Sequence, residues 1–288
     1  MGRYGGIEMD ITSALGIVAG FIFIIYGIIG SGSLMNFWDI PSLWITVGGT
    51  IGSIVASFPF RILKNVGSHM RIIFSSKRYQ AEPLLDIFAD FAQVARKDGL
   101  LALESRVGEL DDPFLKKSIM YVVDAMDPEK IRSTLEQDIE NTSQRHAESI
   151  EIYVRGSAYA PAFGMIGTLI GLINLLKDMN LSAGASESLG ANMSVALVTT
   201  FYGCVLANVI FHPISSKLTI RDDEERVYKE IIVEGVLGLQ EGDNPKVLKE
   251  RLASALAQKR QQILLGDDDG NSGRKRARGR GRNRGGRR

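Results

Sequence analysis

The run GSAYAPAFGMIGTLIGLINLL, residues 156–176, contains no Asp, Glu, Lys or Arg. An α-helix of about 20 apolar residues crosses a bilayer, so this stretch predicts a membrane span. Three more uncharged stretches accompany it: ITSALGIVAGFIFIIYGIIG at 11–30, IPSLWITVGGTIGSIVASFPF at 40–60, and residues 188–216, within which a span runs near Ala191 to Phe211. Four such stretches in 288 residues exclude a simple soluble globule, although charged residues make up an ordinary 23% of the chain. The expectation is an all-α membrane protein, with four transmembrane helices and a helical cytoplasmic lobe between spans 2 and 3 and after span 4. No small-residue cleavage site follows the first stretch, which therefore reads as a retained helix rather than a signal peptide.

Orientation follows the basic residues in the flanks. The link between spans 1 and 2, Ser31 to Asp39, has no Lys or Arg, whereas Arg61, Lys64, Arg71, Lys77 and Arg78 follow span 2. Arg155 precedes span 3, and Lys217 and Arg221 follow span 4. The link between spans 3 and 4 sets Lys177 against Asp178 and Glu187. Both termini and the long middle segment are therefore expected on the cytoplasmic side of the membrane, with Trp38 and Trp44 at the outer interface. The predicted organisation is a cytoplasmic N-terminus at 1–10, a transmembrane hairpin at 11–60, a cytoplasmic helical domain at 61–155, a second hairpin at 156–214, cytoplasmic helices at 215–265 and a disordered basic tail at 266–288. Met1 and Met9 are both candidate starts.

Within the cytoplasmic part, Leu84, Leu85, Ile87, Phe88, Phe91, Ala92, Val94 and Ala95 form a helical stripe, and Gly99 is a natural stop. Pro113 after two acids suits a helix start. No Gly or Pro interrupts the chain from Glu129 to Arg155, which predicts one long helix running from Pro128 into span 3. A second should leave span 4 through RDDEERVYKEIIVEGVLGL, residues 221–239. The single cysteine, Cys204, excludes an intramolecular disulfide. His69, His146 and His212 lack metal-ligand spacing and suit buried or interfacial structural roles. There is no phosphate-binding GxxxxGK[ST] loop, no HExxH and no nucleophile elbow; neither an enzyme nor a metal or organic cofactor is expected.

Membrane proteins that conduct cations usually carry an ionisable residue inside the membrane, and none of these spans has a carboxylate. Their polar content is hydroxyl and amide: Thr46, Thr50, Ser53, Ser57, Thr168, Asn174, Thr199, Thr200 and Asn208. Hydroxyls such as Thr168, Thr199 and Thr200 can line a cation path but cannot take and release a proton at neutral pH; if the protein conducts protons, a partner helix is expected to bring the acid. GxxxG spacing at Gly16/Gly20, Gly48/Gly52 and Gly167/Gly171 suits close helix approach, within the chain or between copies. Pro161, inside span 3, removes a helix hydrogen bond and is either a static bend or a hinge.

Three segments then carry a resemblance: ARKDGLLALE at 95–104, YAPAFGMIGTLIGL at 159–172 and NMSVALVTTFYGCVLANVIFHPI at 192–214. Together with four spans and a large loop between spans 2 and 3, they resemble the MotA/PomA family, the larger stator subunit of the bacterial flagellar motor, over roughly residues 10–260. The resemblance implies a pentamer around the single spans of a MotB/PomB-type dimer that supplies the intramembrane aspartate. It also implies a cytoplasmic lobe that pushes on the rotor protein FliG. The family's rotor-facing charges fall on Arg96 and Glu104 and its functional prolines on Pro161 and Pro213. The hydroxyls of Thr168 and Thr200 are similar to those of sodium-using PomA proteins; sodium and proton both stay open as the transported ion. Two rivals remain. One is an ion-driven energiser of the ExbB/TolQ type, against which four spans and the 95–104 segment argue. The other is a self-contained channel or scaffold that needs no partner helix. The tail holds nine of the 34 basic residues in 274–288. Attraction to anionic lipid headgroups is expected of it, or no role; nucleic acid is not an expected partner.

Overall fold

The computed structural model describes residues 11–74, 79–179 and 185–254; the N-terminal ten residues and the basic tail lie outside them. Every regular element among the described residues is helical. The main helices are α1 (Ile11–Ser31), α2 (Ile40–Ser57), α3 (Val66–Phe74), α4 (Glu82–Asp98), α5 (Pro113–Val123), α6 (Pro128–Met179), α7 (Ala185–Val205), α8 (His212–Glu241) and α9 (Pro245–Ala253). The 52 residues of α6 run without a break through Pro161. A π-helical turn at Leu206–Phe211 joins α7 to α8, and another at Trp44–Gly48 lies within α2. Among the described residues, three helices are long and apolar enough to cross a membrane: Ile40–Ser57, Pro128–Asp178 and Leu189–Glu241. The first helix contributes a shorter apolar stretch, Leu15–Ser31.

The chain divides into two compact units, residues 1–78 with 143–222 and residues 79–142 with 223–288. In the first, the decisive contact is the seam between α6 and α7. A Cβ on Gly167 would lie 2.4 Å from the Thr199 side chain, and one on Gly171 2.7 Å from the Asn192 carbonyl oxygen. From the other side, a Cβ on Gly203 would lie 2.6 Å from the Ala160 carbonyl oxygen. Backbone meets backbone here because glycine has no side chain to hold the helices apart. Of the three GxxxG pairs, Gly167/Gly171 is therefore used inside the chain, while Gly16 and Gly52 have open space beside them.

The second unit has its own core. The α4 stripe buries Leu84, Leu85, Phe88, Phe91 and Ala92, and Phe88 lies against the bare backbone of Gly235 in α8. Ile231, Ile232, Val236, Leu237 and Leu239 close the core from α8, and Leu248, Leu252 and Ala253 from α9. The starts expected at Asp112-Pro113 and Asp127-Pro128 are capped. Asp112 accepts from the amides of Phe114 (2.7 Å) and Leu115 (3.1 Å), and Asp127 from those of Glu129 (3.1 Å) and Lys130 (3.3 Å). Arg251 bridges Glu234 (2.7 Å), Glu241 (3.1 Å) and Asp243 (3.3 Å), and Arg132 reaches Glu234 at 3.1 Å. A single exposed pair adds little stability; the three carboxylates gathered by Arg251 tie α9 to the end of α8 across the turn at Gly242, whose φ is +74°.

Candidate functional site

The seam that joins α6 and α7 also gathers oxygen atoms. Thr168 Oγ1 lies 2.5 Å from Thr200 Oγ1, 3.1 Å from the Gly164 carbonyl and 3.0 Å from the Ala196 carbonyl. Thr200 Oγ1 reaches the same carbonyls at 3.4 and 3.2 Å. Each hydroxyl has one proton to donate and two lone pairs, so the two hydroxyl oxygens keep lone pairs to spare. Such a cluster is a set of neutral oxygen ligands of the kind a hard cation accepts. Thr200 is exposed and Thr168 half-buried, so the pair opens onto an uncovered face of the chain. Met165 (62% exposed), Leu169 (59%) and Leu197 (66%) flank it.

Thr199 is placed differently. It is fully buried, and its hydroxyl donates within its own helix, to Val195 O at 2.8 Å or Ala196 O at 3.1 Å. Its carbonyl accepts from Thr46 of α2 at 3.3 Å, and Thr50 turns back to Thr46 O at 2.6 Å. So Thr168 and Thr200 come together on the exposed side of the seam, and Thr199 is buried within it, its side chain against Gly167 of α6 and its carbonyl bonded to α2. Pro161 and Pro213 are both half-buried. Pro161 meets Gly203 across the seam, where a Cβ would lie 3.2 Å from the proline Cα. Pro213 comes two residues after the end of the π-helical turn, with His212 between. A proline ring clashes with the carbonyl four residues back, and a widened turn at that place relieves it.

Two features escape any reading of periodicity. Tyr202 donates its phenol proton to the Phe37 carbonyl, and Phe201 packs edge-on against Phe37 at 5.3 Å. Ser42, fully buried, bonds Asp39 and lies 3.4 Å from Val195 O. These contacts tie the α1–α2 connection to α7 across some 150 residues of sequence, a distance no local pattern encodes.

The histidines hold structural positions with one exception. His69 of α3 is 7% exposed, and its Nδ1 shares a 3.2 Å hydrogen bond with the Tyr153 phenol. His146 Nδ1 sits 2.6 Å from Asp222, whose second oxygen accepts from Ser143 at 2.7 Å. The serine bonds the carboxylate and not the imidazole, so this is no hydrolytic triad. His212 is exposed. Burial, aided by the nearby His146, holds the His69 pKa below its ordinary 6.5. An unfolded His69 therefore binds protons more readily than the folded one, and stability is lost as pH falls below 6.5. Melting temperatures of the purified protein should drop between about pH 7 and 5, and His69→Gln should flatten that slope.

In the second unit, Arg96 occupies the last turn of α4 and Glu104 opens the single turn Glu104–Val107. Gly99, at φ +87°, turns the chain between them. Both side chains are exposed, and among the described residues no ion pair engages either.

Comparison with known proteins gives this arrangement its context. Residues 107–231 match the MotA/TolQ/ExbB proton channel family. Motility protein A of Borreliella burgdorferi is 36% identical over 252 residues, 87% of this chain and 95% of its own. Chemotaxis protein PomA of Vibrio alginolyticus is 36% identical over 248 residues, 86% of this chain and 96% of its own. The chain belongs to the MotA/TolQ/ExbB proton channel family. Within that family it stands with motility protein A and PomA rather than with ExbB. A chain of the solved flagellar MotAB stator complex from Bacillus subtilis superposes with a TM-score of 0.81 at 32% identity, over 88% of this chain and 99% of that one. The all-helical architecture is that of a MotA-type membrane protein, and the α6–α7 seam with its threonine pair lies on this framework.

Proposed function

We propose that this chain is the stator subunit of a bacterial flagellar motor that couples cation flow to torque. The observation that carries the reading is the exposed Thr168–Thr200 oxygen cluster in a MotA-family chain whose spans hold no carboxylate. Neutral hydroxyl and carbonyl oxygens cannot take and release a proton at neutral pH; a single-span MotB/PomB-type partner that brings an intramembrane aspartate completes the path. Several copies, five in our reading, surround the partner dimer, and the open glycine faces at Gly16 and Gly52 suit contacts between copies. The protein then spans the inner membrane four times, α1 being the fourth span, with both termini in the cytoplasm. Residues 61–155 and 215–265 form its cytoplasmic part. Thr168 and Thr200 contact the ion, Thr199 holds their helix in place, and Pro161 and Pro213 let the cytoplasmic part follow ion passage. No organic cofactor or resident metal enters the cycle. The basic run 274–288 lies outside the described residues; we assign it to anionic lipid.

The test is a strain lacking the gene. Cells that build flagella but do not rotate them support a stator; normally swimming cells with an uptake defect would sink it. Swimming speed that follows external sodium identifies sodium as the ion, and indifference to sodium identifies the proton.

Arg96 and Glu104 are proposed to face the rotor protein FliG. Exposed opposite charges set orientation and encounter rate more than affinity. Arg96→Glu is therefore expected to reduce torque several-fold in a tethered-cell assay, with normal amounts of the subunit in the membrane. Unaltered torque would remove Arg96 from the rotor contact.

A further inference from the structure

From Ile40 to Ala81 the chain holds no Asp or Glu, and its five bases, Arg61, Lys64, Arg71, Lys77 and Arg78, all follow span 2. Their sign sets topology. The placement of two of them does more. The helix of span 2 ends at Ser57, and Phe58 and Pro59 are extended, with ψ of 140° and 148°. The chain leaves the span there and starts again in the single turn Phe60–Leu63, followed by α3. The Ser57 hydroxyl meets the Tyr159 phenol at 3.0 Å, and tyrosine is enriched at the membrane–water boundary. One side of this segment is committed to the protein. Ile62, Leu63 and Val66 pack against the apolar cluster around Ile152 and Leu218, and His69 bonds Tyr153. The other side is open. Phe60, at 81%, is the most exposed large apolar side chain among the described residues, and Met70 and Ile72 are exposed too. Arg61 and Lys64 are exposed, and among the described residues no ion pair engages either. They lie three residues apart, with Lys64 still helical at φ −60° and ψ −23°, so they are neighbours on one side of the turn.

Water satisfies the two cations and not the phenyl ring. A protein carboxylate satisfies the cations alone. An anionic bilayer surface satisfies both, because it sets phosphate directly above hydrocarbon, and guanidinium and ammonium groups are both phosphate donors. We infer that this segment is a binding site for an anionic phospholipid of the cytoplasmic leaflet. Phe60 enters between the acyl chains, and Arg61 and Lys64 hold the headgroup phosphate. The lipid thereby ties α3, and through His69 and Tyr153 also α6, to the bilayer surface. Which leaflet supplies the lipid rests on the stator reading given above; the binding chemistry does not.

The test is native mass spectrometry of the full chain, purified with its single-span partner and released from detergent micelles doped with phosphatidylglycerol or phosphatidylcholine. One base near an anionic surface is worth about a five-fold gain in binding. Arg61→Gln with Lys64→Gln should therefore weaken the tightest-bound phosphatidylglycerol about 25-fold and leave phosphatidylcholine as it was. Exchanging the two, Arg61→Lys with Lys64→Arg, should keep the binding. Lys97→Gln with Lys130→Gln removes the same charge from exposed places in the second unit and should change nothing. Phosphatidylglycerol retained in full by the Arg61→Gln, Lys64→Gln protein would overturn the inference, and so would an equal loss in the Lys97→Gln, Lys130→Gln protein. A second copy of the chain is the rival occupant of this face. Phe60→Ser is expected to weaken phosphatidylglycerol several-fold at unchanged oligomer mass; a lower mass with unchanged lipid would assign the face to the other copy and overturn the inference. If the double variant fails to assemble, Lys64→Gln alone decides, at about five-fold. None of these readouts uses ion flow or rotation, so cells that swim normally without the gene would sink the stator reading and leave the lipid result standing.

Discussion

Gly203→Val is expected to abolish a stable membrane unit. The reason is geometric. Even a single Cβ at 203 would stand 2.6 Å from the Ala160 carbonyl oxygen and 3.2 Å from the Pro161 Cα, both of them backbone. No rotamer change can clear a neighbour's main chain, so α6 and α7 have to separate. They are pinned together elsewhere along the same line, at Gly164 against the Thr199 carbonyl (3.1 Å) and at Gly171 against the Asn192 carbonyl (2.7 Å). Overpacking costs typically about 1–3 kcal/mol where side chains can adjust, and here the obstacle is backbone and valine adds two further carbons. Purified in detergent, the variant should give little monodisperse protein and a sharply lower melting temperature. The matching cells should carry flagella that do not turn. Gly108→Ala is the control: its Cβ meets nothing within 4 Å and its φ of −58° is helical. Normal yield and melting of Gly203→Val would mean that the seam is looser than its contacts.

That seam also shows how far sequence alone can be taken. The uncharged runs announce the membrane helices because length and hydropathy are local properties. The long α6 follows from the absence of Gly and Pro over 129–155, and the caps at Asp112 and Asp127 follow from an acid placed before proline. The threonine pair is half legible. Both residues are visibly polar in apolar runs, but that Thr200 meets Thr168 while its neighbour Thr199 is buried against Gly167 depends on where α7 settles against the glycines of α6. A shift of one residue rotates a helix face by about 100°. Tyr202, Ser42 and the two π-helical turns were not legible, since each depends on partners distant in sequence or on strain around Pro213. Arg96 and Glu104 stand out only through the family resemblance; as bare residues they are an exposed helix end and an exposed turn.

The second large effect falls on function and leaves the fold standing. Thr200→Val keeps the shape of the side chain and removes one oxygen from the cluster around Thr168. The helix loses no essential support, because its packing is carried by Thr199 and the glycines opposite. A ligand to a charged group is worth more than a neutral hydrogen bond, about 1.5–3 kcal/mol, and 1.4 kcal/mol is about a ten-fold change in affinity. The concentration of driving cation that gives half-maximal rotation should therefore rise about ten-fold or more, with the amount of complex unchanged. Thr199→Val removes a hydroxyl of the same kind one position away. Its bonds go to Val195 and Ala196 of its own helix, so it should cost a little stability, about 1 kcal/mol, and leave the half-saturating concentration near the wild-type value. The pair of variants separates chemistry from packing. Equal effects on cation dependence would show that the hydroxyls act through helix geometry alone. Dependence on Thr200 but not Thr199 would place the ion on the exposed face, where a partner helix can cover it and supply the acid that these spans lack.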